Sequence, residues 1–432
     1  MEAVLALVMA VLSLGQALAQ GELAVDSQAA ENHFPKDITF RLTAHAERDI
    51  TRVTLYYRIG NSSSLAYAYP AFVPGRSIEA EHVLSTGNAR GSGMAPGSEI
   101  EYFYEIADSA GARLKTEPVR IVYEDTRFTW QELERPGIAV YYYGPVQPAQ
   151  TVLAAAWETL ARMKASAGVS LERPAKIYLY RTAQDMNLAL PFMSETTSRE
   201  VTWGGMAFPN VDEVIMRGSG SYLELITAHE LTHLLTHQLT DNPFSHIPAW
   251  LNEGLSMYAG GQFPSNQQAV SDAIHKNTLL SLRAISSLPG KPEEIDLFYG
   301  EAFSVVSYLI DTYGPDQMSR LLATFKEGNN TNDALMKAYG FDIDGLEAKW
   351  RASIGAPVPV AASGQVGPSQ PQFIPTFAPI GSGQPQTAPV ASAQTKGQAG
   401  TGAVPYGALA GGALVLSVLV LAFRRSKVHS TK

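Results

Sequence analysis

A chain of 432 residues with 45% hydrophobic side chains is long enough for two or three domains with real cores. Its 32 Lys and Arg against 41 Asp and Glu leave a net charge of −9 and no strongly basic patch, which argues against a nucleic-acid partner. Cysteine is absent, so disulfides, thiolate metal sites and cysteine nucleophiles are excluded, and any metal must be held by histidine and carboxylate.

Residues 1–19 predict a signal peptide: an apolar run from Ala3 to Leu14, then Ala17-Leu18-Ala19 as a small-residue cleavage site, despite an n-region without Lys or Arg. Residues 20–126 predict a small β-sandwich. Ile38–Ala44, Val53–Ile59, Ile100–Ile106 and Pro118–Tyr123 alternate with period two, and Asn61-Ser62-Ser63, Pro74-Gly75 and 91–97 read as turns. The Glu101–Glu105 strand and its following turn resemble the end of an immunoglobulin-like or fibronectin type III module. His33, His45 and His82 are scattered along this region and read as ordinary strand or surface residues.

Residues 137–354 mix helix and strand. Ile138–Tyr143, Ala175–Tyr180 and Val214–Met216 predict strands, and Ala149–Ser166 an amphipathic helix. The next stretch holds His229-Glu230-Leu231-Thr232-His233. Ser221 and Glu224 have the form of a capping box, Leu223, Ile226, Leu231, Leu234 and Leu235 recur at helical spacing, and Asp241-Asn242-Pro243 stops the run. On a helix, histidines four residues apart share one face, where one Zn²⁺ can be gripped by both. By composition, H-E-x-x-H is expected by chance only on the order of 0.01 times in such a chain. A second helix is expected from Pro248, as first helical residue, to Gly260-Gly261, with Glu253 on its first turns. A catalytic zinc needs three protein ligands and one open position, and Glu253, 20 positions past His233, is the candidate third. Helices are then expected at Glu301–Tyr313, Asp316–Glu327 and Ile343–Ser353.

Residues 355–404 are rich in Pro, Gly, Ser, Gln and Ala with one charged side chain, Lys396, and predict a disordered stalk. Residues 406–423 are uncharged and largely apolar, just long enough to cross a bilayer, and Arg424-Arg425-Ser426-Lys427 places the 424–432 tail in the cytoplasm. The expected molecule is a single-pass membrane protein with its catalytic domain outside.

With H-E-x-x-H followed by Asn252-Glu253-Gly254-Leu255, the chain resembles the gluzincin metallopeptidases, and the string from Trp250 to Leu255 resembles peptidase MA-like domains in particular. The resemblance covers roughly 137–352 and implies a thermolysin-like α+β catalytic domain there; with the segments read above, the expected architecture is a multidomain α+β protein of β-sandwich, catalytic domain, stalk and C-terminal transmembrane helix. It implies His229, His233 and Glu253 as Zn²⁺ ligands and Glu230 as general base. Phe298–Phe303 also resembles a segment of these domains, which makes Tyr299 a candidate oxyanion donor, a core aromatic being the other reading.

Gluzincins line their cleft with an edge strand that pairs with an extended substrate, and Gly204, Gly205, Met206 and Ala207 occupy the equivalent place. A tight turn without a substrate role remains open for them. Two departures stand out. Ala207 falls where aminopeptidase-like members carry an amine-binding glutamate, which points to an endopeptidase; Glu224 and Glu301 are the acidic alternatives. Met257 falls where relatives carry an acid that orients a ligand histidine, leaving Asn252 and Thr232 as possible supports. His237, one turn along the helix, is expected near the site without ligating, and His246 within reach of the cleft. The expected partner is a peptide or protein substrate; a competing reading is a zinc-retaining surface protein of little activity that acts as a binding or adhesion module.

Overall fold

The computed structural model describes residues 23–86, 94–190, 204–220, 222–261 and 263–358, which build an α+β protein. The expected signal peptide, membrane span and basic tail, and the stalk beyond 358, lie outside the described residues. Among the described residues no helix is long and apolar enough to cross a membrane.

The N-terminal layers consist of β1 (Ala24–His33), β2 (Asp37–Ile59), β3 (Ala66–Ala68), β4 (Gly75–Ser85), β5 (Ser98–Asp108), β6 (Arg113–Lys115) and β7 (Val119–Tyr123). The segments Ile38–Ala44 and Val53–Ile59, expected as separate strands, are the two halves of β2. Its first half pairs with β1 and β4, its second with β5 and β3, and the register slips between His45 and Ile50. On a straight strand, Phe40 and Tyr57 would stand about 56 Å apart, yet their rings lie 6.3 Å from centre to centre. The strand therefore turns back on itself and belongs to both layers. Ile38, Phe40, Leu42 and Ala44 face Leu55, Tyr102, Tyr104 and Ile106 in one buried core, as period-two alternation requires. Gly75, expected in a turn, opens β4.

A second sheet runs β11 (Gly205–Phe208), β12 (Glu213–Arg217), β10 (Ala175–Tyr180), β9 (Ile138–Tyr142), β8 (Gln131–Arg135), with β9, β10 and β12 parallel and the two outer strands antiparallel. Its helices are α1 (Val146–Ala167), α2 (Ala183–Asn187), α3 (Leu223–Thr240), α4 (Ala249–Gly260), α5 (Pro264–Lys276), α6 (Ile295–Tyr313), α7 (Pro315–Lys326), α8 (Thr331–Tyr339) and α9 (Ile343–Ser353). α2, α5 and α8 were not among the expected helices, and α6 begins six residues before the expected Glu301, so Tyr299 is helical. Pro248 caps α4 with extended geometry and is not its first helical residue.

α3 is the central helix. Its buried residues lie on all sides, as in a core helix. Three of its threonines, Thr227, Thr232 and Thr240, return their hydroxyls to carbonyls four residues back at 2.7 Å, which makes their burial tolerable. Ser221 of the expected capping box lies outside the described residues; Tyr222 is the N-cap, and its side chain makes no cap hydrogen bond.

The two sheets meet through a cluster that includes Phe34, Phe128, Trp130, Tyr178, Tyr180 and Phe208. Polar ties complete the junction. Asp212, held at φ 55°, accepts from Arg173 Nε at 2.7 Å and from Gln238 Nε2 of α3 at 2.8 Å, and Asn61 of the β-layer turn donates to the same carboxylate. The far end of α3 is thus fixed to the N-terminal layers by one buried carboxylate.

Candidate metal centre

His229, Glu230 and His233 sit in the middle of α3, and Glu253 on the second turn of α4 faces them. His229 Nε2 and His233 Nε2 are 3.1 Å apart, and Glu253 Oε2 lies 3.4 Å and 3.6 Å from them. Donors about 2.0–2.2 Å from a zinc ion in tetrahedral array are separated by about 3.3–3.6 Å, so the three atoms form one face of a zinc-sized tetrahedron. All three side chains are at most 2% exposed.

Burial decides their protonation. It drives His229 down to about 3 and His233 to about 4, so both rings are neutral at ordinary pH, the form in which imidazole ligates. Burial also raises Glu253 to about 7, partly opposed by His233. A carboxyl buried beside two neutral imidazoles is poorly stabilised as an anion, and a bound cation supplies the missing charge. Donor types, spacing and electrostatics therefore fit Zn²⁺.

Surrounding contacts orient the ligands. Ser256 Oγ is 3.2 Å from His233 Nδ1, and the Asn252 side chain stands beside the same ring. Ser256 was missed from sequence, although it lies one turn after Glu253 on the same helical face. Of the two expected supports, Asn252 lies beside His233, whereas the Thr232 hydroxyl is returned to Ala228 O. Met257 is buried apolar packing. His237 approaches Asp241 at 3.9 Å and His246 is exposed, and neither joins the three-ligand group.

Glu230 is fully buried, and β11 runs directly against it: a Cβ on Gly205 would stand 3.2 Å from Glu230 Cγ and 3.0 Å from Ile215 O. Glycine at 205 thus allows strand and helix to close on each other. A Cβ on Gly204 would meet only Ile226, at ordinary contact distance. β11 pairs with β12 alone, so it is an edge strand among the described residues. Met206 packs into the inter-sheet aromatic cluster and Ala207 into the main core. Tyr299 is buried on α6, its ring centre 6.4 Å from that of His229. Glu224 lies in the first turn of α3, and Glu301 is committed elsewhere, accepting from Leu280 N at 2.9 Å.

Residues 155–356 match the family model of the Peptidase MA superfamily. The matched span takes in α3, α4 and all three gathered ligands, and in that span the chain is similar to peptidases of the superfamily. No curated protein matches the sequence. Among solved structures the chain is similar to a β-1,3-glucan binding domain of carbohydrate-binding module family 56, at 20% identity, 22% of this chain, 95% of that chain and a TM-score of 0.16. It is also similar to a laminaripentaose-producing β-1,3-glucanase of family 64 from Paenibacillus barengoltzii, at 15% identity, 28% of this chain, 27% of that chain and a TM-score of 0.16. Likenesses at such TM-scores carry no argument for this chain.

Proposed function

We propose that the Peptidase MA domain is a zinc-dependent, gluzincin-type endopeptidase, exported by residues 1–19 and held at the membrane by residues 406–423. The observation that carries the chemistry is the buried convergence of His229, His233 and Glu253 with Glu230 on the intervening turn. The membrane placement rests on the sequence pattern of the two terminal segments.

Zinc, when bound, supplies Lewis acidity to water and to the scissile carbonyl. The side chains do the rest. His229 and His233 present unprotonated ring nitrogens, and Glu253 a carboxylate. Glu230 accepts the proton of the attacking water at its carboxylate and hands it to the leaving amine. Tyr299 donates its O–H to the carbonyl oxygen as negative charge grows there. The edge strand at Gly204–Ala207 pairs with an extended substrate. Ala207 has no charge to offer a free α-ammonium, and Glu301 is engaged by Leu280 N, which disfavours aminopeptidase action.

The test uses the full chain. Glu253→Gln is expected to lose bound zinc and peptide hydrolysis, and Glu230→Gln to keep zinc, measured by mass spectrometry, while losing hydrolysis. N-acetylated peptides are expected to be cut at internal bonds at least as fast as free-amine ones. Equal zinc and full activity in both variants would refute the ligand and base assignments, and stepwise N-terminal trimming abolished by acetylation would refute the endopeptidase reading.

A further inference from the structure

The outer face of the β2–β5 layer holds a second cluster of chemistry that the peptidase reading leaves unused. Strand register sets Tyr56 opposite Phe103 on one side and Tyr67 on the other. The Tyr56 and Phe103 rings stack at 5.1 Å, and Tyr67 meets Tyr69 edge to face at 5.6 Å. Cross-strand pairing explains Tyr56 and Phe103. It does not explain Tyr67 and Tyr69, which are 61% and 69% exposed and add little to the core.

Charged residues continue the same face. Register places Thr54 opposite Glu105 and Glu105 opposite Lys115, with Arg52 and Arg113 flanking Ala107. Arg52 and Arg113 have no ion-pair partner among the described residues. Lys115 Nζ lies 4.2 Å above the Phe103 ring, and Glu105 accepts a 3.4 Å bond from the Tyr56 hydroxyl. Tyr56, Tyr67, Tyr69, Arg52, Arg113 and Glu105 border an open groove of about 790 Å³, within the size range of ligand sites.

We propose that this groove binds a polysaccharide chain. A sugar ring has flat C–H faces suited to exposed aromatic planes, and a rim of hydroxyls that both donate and accept. The groove offers the planes as Tyr67 and Tyr69, donors as Arg52 and Arg113, and an acceptor as Glu105. A protein partner fits less well, because lysine and glutamate are depleted at protein interfaces, and here Lys115 and Glu105 stand among the rings. Single-stranded nucleic acid also uses rings and cations, but it would meet Glu105 in mid-groove and a chain of net charge −9. Neutral and uronate-bearing glycans share the ring chemistry and differ in their demand on the two arginines.

The test is affinity electrophoresis of the full chain through gels containing a neutral β-glucan or a polyuronate, with co-sedimentation on insoluble chitin. Retention is expected on at least one. The Tyr67→Ala, Tyr69→Ala double variant is expected to weaken that binding at least about tenfold while keeping the wild-type circular dichroism and thermal midpoint. Loss of polyuronate binding alone in the Arg52→Ala, Arg113→Ala variant assigns an acidic glycan; retention on the β-glucan or chitin that survives this variant assigns a neutral one. No retention of the wild-type chain on any of the three, or equal retention of the tyrosine variant, overturns the proposal. Each readout is independent of peptide hydrolysis.

Discussion

Gly254, next to Glu253, lies where α4 runs tightly against α6, and replacing it by alanine tests whether that approach sets the ligand geometry. A Cβ at this position would stand 2.4 Å from Ala302 O, 2.5 Å from Val306 Cγ2 and 2.9 Å from Ala302 C. Two of these atoms are helix backbone and have no rotamer through which to withdraw. Restoring ordinary contact requires the helices to part by about 1 Å, whereas metal–ligand distances tolerate only about 0.2 Å. Glu253 travels with its helix, so its carboxylate leaves the tetrahedral face formed with His229 and His233. Overpacking of this kind costs roughly 1–3 kcal/mol, a fall in Tm of roughly 2–10 °C for a domain of this size. Gly254→Ala is therefore expected to show that fall together with at least about tenfold weaker zinc binding, measured by chelator competition on the full chain. Gly290→Ala is the control: its Cβ meets nothing within 4 Å, and no change is expected. Wild-type zinc affinity and Tm in Gly254→Ala would refute the claim that this contact positions the ligand.

Ser256→Ala removes the hydroxyl facing His233 Nδ1 and is expected to weaken zinc binding about tenfold to a hundredfold while leaving the metal-free Tm nearly unchanged; unaltered competition curves would remove Ser256 from the site. Glu301 carries the pH prediction. Burial raises its carboxyl from 4.5 to about 8, so the fold favours the protonated form. The corresponding stability is complete below pH 4.5 and declines as pH rises through about 8. Glu301→Gln, which keeps an acceptor for Leu280 N, is expected to flatten that decline and gain a few kcal/mol over wild type at pH 9. Urea midpoints at pH 5, 7 and 9 that run parallel in the two proteins would contradict this.

The features legible in the sequence were those that depend on neighbouring residues. His229 and His233 share a face because any α-helix brings i and i+4 together, and Glu253 stood out within Asn252-Glu253-Gly254-Leu255. Ile343–Ser353 and Ala175–Tyr180 were bounded correctly because apolar period and flanking residues are local quantities. Some local signals went unused: Pro264 at the start of α5, and Asn330 and Gly340 at the ends of α8, are ordinary helix boundaries. Ser256 was legible too, since 253 and 256 lie one turn apart.

Other features depended on the tertiary structure alone. Sequence showed two alternating segments on either side of residues 45–50, but that they form one strand shared by two layers follows from pairing with β1 and β4 at one end and β5 at the other. Gly205 and Gly254 look like any glycines until Glu230 and Ala302 are set against them. Asp212 is an unremarked residue in a turn until Arg173, Gln238 and Asn61 converge on it from three distant parts of the chain. Hydrophobic period fixes which face of each helix or strand is buried, and so predicts elements one at a time. The distance between Glu253 and the two histidines is set by how closely α4 can approach its neighbours, and that depends on side-chain volumes separated by dozens of residues, which no local pattern records.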